Sequence, residues 1–152
     1  MTFLRALMLL ALVVWIGGII FFAFVVAPNL FIRVPSEIVG DVVQRDLTWL
    51  HWMGIFSAFV FIFCSLLYSR SRYARVKTFT AVNLLVVIML ALTLISQFRV
   101  MPRMQVLRAE FYAGDAVAHQ EFTRLHKWST GLEGGVLILG IGVVFLTARR
   151  FS

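Results

Sequence analysis

Arg124-Leu125-His126-Lys127-Trp128-Ser129-Thr130-Gly131-Leu132-Glu133-Gly134-Gly135 is where a polar, charged segment gives way to an apolar one. A histidine stands at the transition. Seven residues further on comes a carboxylate, about 10 Å along a helix and close to the same face. From Val136 to Ala148 no charge follows. The stretch Leu47-Thr48-Trp49-Leu50-His51-Trp52-Met53-Gly54 makes the same transition earlier in the chain. If both apolar segments cross a membrane from the same side, His51 and His126 sit at equal depth at that face.

Working outward, four apolar stretches reach the ~20 residues needed to cross a hydrocarbon core. They run from about Phe3 to Ala27, Leu50 to Tyr68, Thr78 to Phe98 and Ser129 to Ala148. In lipid the backbone must satisfy its own hydrogen bonds, so stretches of this length are helices. Composition agrees. The 152 residues are 61% hydrophobic and 14% charged, with 15 Phe, against ~25% charged in soluble chains. The expected fold is all-α: a four-helix bundle forming a single membrane domain over residues 1–152. The net charge of +7 reports orientation and contact with lipid headgroups rather than nucleic-acid binding. The single cysteine, Cys64, lies in an apolar run and reads as a small buried residue.

An even number of spans puts both termini on one side. That side carries Arg5, Arg70, Arg72, Arg75, Lys77, Arg149 and Arg150 and no acids. The other carries Arg33, Arg45, Arg99, Arg103, Arg108, Arg124 and Lys127 together with six acids, Glu37, Asp41, Asp46, Glu110, Asp115 and Glu121. The Lys and Arg totals tie. The unneutralised set in the Ser69–Lys77 loop and the tails favours cytoplasmic termini.

The two connections on the far side read as amphipathic helices. Ser36 can cap one that presents Ile38, Val39, Val42, Val43 and Leu47 on one face and runs into the second span. After Pro102 a helical stretch runs from Met104 to Tyr112, Gly114-Asp115 breaks it, and another leads from Ala116 towards Trp128. Each half therefore has the same skeleton: span, proline, amphipathic segment, Leu-His, span. Pro28 to His51 is 23 residues and Pro102 to His126 is 24. Such a duplication relates two hairpins by an axis along the membrane normal.

Ionisable residues near membrane helices mark function by default. His51 and His126 can together hold one metal ion or one haem iron, or each can sit at the headgroup level beside Trp49, Trp52 and Trp128. Glu133 has no twin, since Ala58 occupies its place in the first half. It reads as a proton relay, a cation site, a partner to an arginine, or an internal bond that fixes packing. Arg99, Arg103 and Arg108 cluster around Pro102. They can pair with Glu133 or the outer acids, bind an anion bidentately, or snorkel to headgroups. Trp15, at the centre of the first span, must face the bundle interior or a ligand. Gly17, Gly18 and Gly131-x-x-x-Gly135 permit close helix approach. Asn83, Thr93, Ser96 and Gln97 read as interhelical hydrogen-bonding groups. His119 reads as solvated. No soluble-enzyme motif is present.

Trp15-Ile16-Gly17-Gly18, with Phe22, Val26-Ala27-Pro28 and Leu30-Phe31, resembles the first helix of transmembrane protein 205-like proteins, whose bacterial members form domain-of-unknown-function family 4149. Pro35, Gly40, Leu50-His51, Met101-Pro102-Arg103-Met104, Leu107-Arg108 and Leu125-His126 continue the likeness to the last span. The resemblance implies four helices in a bacterial inner membrane and no characterised activity. A more distant likeness is to copper-resistance D-type proteins and the membrane haem-binding protoporphyrinogen oxidase. There a histidine stands seven residues before the tryptophan, where this chain has Met8.

The expected function is a ligand- or ion-binding pocket at the outer face, built from His51, Arg99, Arg103, His126 and Glu133 with Trp15. The alternatives are a haem b or metal protein ligated by His51 and His126, and a non-catalytic subunit. Expected partners are membrane lipids, and a homo-oligomer or another membrane protein, but not nucleic acid.

Overall fold

The computed structural model describes residues 2–73 and 81–151. The first half begins with α1 (Thr2–Phe21), continues through a π-helical segment (Phe22–Val26) into α2 (Ala27–Arg33), and returns along α3 (Ser36–Tyr73). The second repeats the plan. α4 (Ala81–Ile95) passes through a π-helical segment (Ser96–Val100) into α5 (Met101–Tyr112), and α6 (Ala116–Phe151) returns. Four continuous helices, Thr2–Arg33, Ile38–Arg70, Ala81–Tyr112 and Ala116–Arg149, are long and apolar enough to cross a membrane. The protein is an all-α, four-helix integral membrane protein.

Pro28 and Pro102 do not end their helices as the sequence suggested. A helix-interior proline lacks an N–H, and its ring crowds the carbonyl four residues back. Here each proline follows a turn that is already widened. The Ala27 N–H donates to Phe22 O and the Met101 N–H to Ser96 O, five residues back in both cases. The helix absorbs the ring at a π turn and continues to Arg33 or Tyr112. The repeat thus extends to backbone geometry, because both five-residue π segments end two residues before the proline. The break at Gly114-Asp115 stands. Gly114 adopts φ 84°, and Asp115 Oδ1 accepts from the Val117 and Ala118 N–H groups at 2.8 and 2.9 Å, capping α6. The Ser36 cap lies outside the described side chains. Ser69 to Tyr73 continue α3 rather than forming a loop, and Arg75 and Lys77 lie outside the described residues.

Around the bundle the order is α1, α3, α4, α6, so α3 and α6 occupy opposite corners. α1 buries Met8, Ala11, Leu12, Trp15, Ile16 and Ile19, one face at spacings of three and four. Lipid offers no hydrophobic drive to pack these helices together, so close approach at small residues matters. A Cβ on Gly54 would lie 2.4 Å from Trp15 Nε1, and one on Gly140 would lie 2.8 Å from Ile16 Cγ1. One on Gly18 would lie 2.9 Å from Leu50 Cδ1. Each glycine is the seat of a large side chain from a neighbouring helix. Gly131 is exposed and meets no neighbour within 4 Å, whereas a Cβ on Gly135 would lie 3.5 Å from Leu92 Cδ1 on α4, so of this pair only Gly135 faces a neighbouring helix. The Ser65 hydroxyl donates to Asn83 Oδ1 at 2.7 Å between α3 and α4. Thr93 bonds its own helix, at Met89 O. Cys64 is buried and free.

Candidate functional site

His51 is 1% exposed and stands on α3 facing the diagonal of the bundle. Its Nδ1 lies 2.7 Å from Gln97 Oε1, and its Nε2 lies 2.6 Å from Glu133 Oε1. An amide oxygen only accepts, so Nδ1 carries a proton and donates to Gln97. That fixes Nε2 towards Glu133. The Nε2–Oε1 contact then contains one proton. It is shared between an imidazolium with a carboxylate and a neutral imidazole with a carboxylic acid. Both forms leave the pair uncharged overall, which is how a histidine and a carboxylate can be held deep in a membrane bundle.

Three helices supply the three groups, and their positions have local causes. Gln97 sits in the second π segment, a feature often found at functional sites. Glu133 lies two turns beyond His126 on α6, so His51 is level with Glu133 and not with His126. The expected equal depth of the two histidines is therefore corrected.

Glu133 also lines a cavity of about 600 Å³ at the end of the bundle opposite the termini. Its walls are mostly apolar, including Ile19, Phe22, Phe31, Leu47, Met101 and Phe111. α2 packs on α3 and α5 packs on α6, and the cavity lies between these pairs. Ala23, Phe31, Tyr112, His126 and Thr130 are lining residues that are also exposed, so the cavity reaches the protein surface. Away from Glu133 the lining becomes polar again at Gln44, Arg108 and Tyr112. Arg108 Nη1 donates to Asp41 Oδ1, while Arg108 Nε and Gln44 Oε1 are buried without partners among the described residues. Gly40 makes room there, since a Cβ would come within 3.1 Å of the Tyr112 hydroxyl.

The residues expected to form the site divide into two groups. His51, His126 and Glu133 all belong to it, but His126 contributes only lining near the opening. Arg99 is exposed. Arg103 is also exposed, and its Nε donates to Glu121 Oε1 at 2.9 Å. The cavity's arginine is Arg108, because Met101, Met104 and Arg108 recur at one face of α5 while Arg103 points away. Trp15 is 2% exposed and faces the interior, against Gly54 rather than in the cavity. His119 is exposed but stacks on Phe111, with centroids 4.6 Å apart. Gln97 was legible only as a general interhelical group. What could have singled it out is the requirement that a buried histidine have partners on both nitrogens.

The residues present do not form a haem or metal ligand set. Both His51 nitrogens are engaged, and His126 lies two turns from Glu133. Met8 is fully buried in the core. Among the described residues no three His, Cys, Asp or Glu side chains gather to hold a metal ion.

A family model described as "Domain of unknown function (DUF4149)" matches residues 10–113. The match takes in α1 through α5, and so Trp15, His51, Gln97 and Arg108, and ends before Glu133. No curated protein and no solved structure matches the chain.

Proposed function

This chain belongs to the DUF4149 family, and from that premise we propose that it binds a predominantly apolar molecule taken up laterally from the bilayer, with the molecule's polar group at Glu133. One observation carries this reading. A mostly apolar cavity of about 600 Å³ ends on a carboxylate that a buried histidine holds in place. Taking charged groups out of water costs several kcal/mol per ion, and well-packed apolar residues often serve stability as well or better. A bundle selected for packing alone has no need of Glu133. The volume lies within the range of ligand sites, which pair apolar walls with a few placed polar groups. The cavity is complete in one chain, so neither a homo-oligomer nor another membrane protein is required to build it. Its constant partners are the lipids met by exposed apolar residues such as Phe24, Phe56 and Phe145. Within the family we group it with the transmembrane protein 205-like proteins, on Trp15-Ile16-Gly17-Gly18 and Met101-Pro102-Arg103-Met104.

The test uses the full chain in phosphatidylcholine nanodiscs with the apolar fluorophore N-phenyl-1-naphthylamine. Saturable binding at one site per chain is expected. Ala27→Phe puts a ring into the cavity and should weaken binding at least tenfold without lowering the melting temperature. Equal binding by the two proteins, after subtraction of protein-free nanodiscs, removes the cavity as the site.

In this reading the membrane is the inner membrane and both termini are cytoplasmic, which places the cavity at the outer face. Arg5, Arg70 and Arg149, on the side without acids, support this. A Cys64→Ala chain carrying either Thr2→Cys or Val117→Cys reports the topology directly. A membrane-impermeant maleimide added to intact cells should label position 117 and spare position 2. The reverse pattern inverts the protein.

A further inference from the structure

We infer that the His51–Glu133 pair holds one exchangeable proton that the cationic head of an alkylammonium amphiphile displaces, so that this cavity takes up such a cation and releases a proton. The inference rests on the cavity reading above and names the class of ligand. Glu133 Oε1 is bonded to His51 Nε2, which leaves Oε2 for the cavity that Glu133 lines. His51 itself is almost wholly buried, so a ligand meets the carboxylate first. An acceptor at the end of an apolar pocket selects a donor or a cation, not an anion.

The surroundings favour the same class. α1 and α2 present only apolar side chains to the cavity, such as Ile19, Phe22 and Phe31. α3 presents Gln44, and the α4–α5 helix presents Arg108 and Tyr112, while His51 and Gln97 stand behind Glu133 outside the lining. α6 presents His126 and Glu133. The one permanent cation among them, Arg108, is held by Asp41 and stands at the far end, eleven residues from Gln97 along its helix. That is about 16 Å at 1.5 Å per residue. Among the described residues only His51 pairs with Glu133.

The exchange balances. Before binding, His51 and Glu133 share one proton and sum to zero charge. After binding, the ammonium carries +1, Glu133 carries −1 and His51 is neutral, keeping its Nδ1–H on Gln97. One proton leaves for each cation bound, and the bundle never holds an uncompensated charge. Because cation and proton compete for one carboxylate, affinity falls as pH falls, by up to tenfold per unit where the pair retains its proton.

The experiment again uses the full chain in phosphatidylcholine nanodiscs and measures displacement of N-phenyl-1-naphthylamine. Dodecyltrimethylammonium keeps its charge at every pH, and dodecanol is its neutral counterpart. Dodecyltrimethylammonium should displace the fluorophore more strongly as pH rises, and dodecanol should do so independently of pH. In weak buffer a pH dye should record about one proton released per dodecyltrimethylammonium bound. Glu133→Gln should lose at least tenfold in affinity for the cation and release no proton. Equal and pH-independent displacement by cation and alcohol overturns the exchange while leaving the cavity reading intact. So does cation binding without proton release. Failure of every amphiphile to displace the fluorophore overturns both.

Discussion

His51→Leu is expected to destabilise the protein by about 3–5 kcal/mol, the usual cost of removing one partner from a buried charged pair. The leucine leaves Glu133 facing the bundle diagonal without the ring nitrogen 2.6 Å away, and leaves Gln97 Oε1 without its donor. The double variant His51→Leu/Glu133→Leu should recover most of the loss, because apolar replacement of the whole pair removes the uncompensated group. Equilibrium unfolding in mixed micelles of increasing dodecyl sulfate fraction measures both. The signature is strong non-additivity, with the double variant more stable than the single one. If the two substitutions simply add, the pair is not an energetic unit. Ligand binding should be lost in the double variant even though stability returns, which separates the role of the pair in function from its role in folding.

Gly54 is expected to be the least tolerant glycine in the chain. Its Cα faces the edge of a rigid indole that is 2% exposed, and a Cβ would lie 2.4 Å from Trp15 Nε1 and 2.9 Å from Cδ1 and Cε2. No flexible end can swing away. Gly54→Ala should cost about 1–3 kcal/mol by overpacking, and Gly54→Leu should prevent assembly of the α1–α3 pair. Trp15→Ala alone should cost about 3–5 kcal/mol through the cavity it leaves. Gly54→Ala in a Trp15→Leu background should cost less than Gly54→Ala in the native chain, because the obstructing ring is gone. The same micelle titration reads all of these proteins. Gly131→Ala is the control, since that position meets open space within the chain. An equal loss at Gly131 and Gly54 contradicts the packing argument.

Much of the architecture was written in local chemistry. Length and apolarity forced four helices, because a backbone in lipid has no other way to bond its own N–H and C=O groups. The proline–histidine skeleton announced two matching halves. Even so, the sequence overstated the power of proline. Pro28 and Pro102 read as helix ends, yet each is absorbed by a π turn, a backbone adjustment that residue preferences do not encode. The amphipathic segments are accordingly not separate pieces but the outer turns of four long helices.

The candidate site was legible residue by residue and not as an arrangement. Glu133 stood out because it has no twin and lies within an apolar stretch, and that logic needs only the cost of a carboxylate in hydrocarbon. The partner of Glu133 did not follow from it. Helical spacing placed His126 on the same face of α6, and pseudo-symmetry set His51 beside it. The bundle instead places α3 and α6 at opposite corners and slides them so that His51 meets Glu133. Likewise three arginines near Pro102 were equivalent in sequence. Only the rotation of α5 about its axis turns Arg108 into the cavity and leaves Arg103 with Glu121. By itself, then, the sequence determined what the lipid requires: the number of helices, their apolar character and the costly residues they carry. Tertiary structure alone decided register and rotation between helices, because these depend on which glycine receives which side chain across a contact, and no local pattern records that.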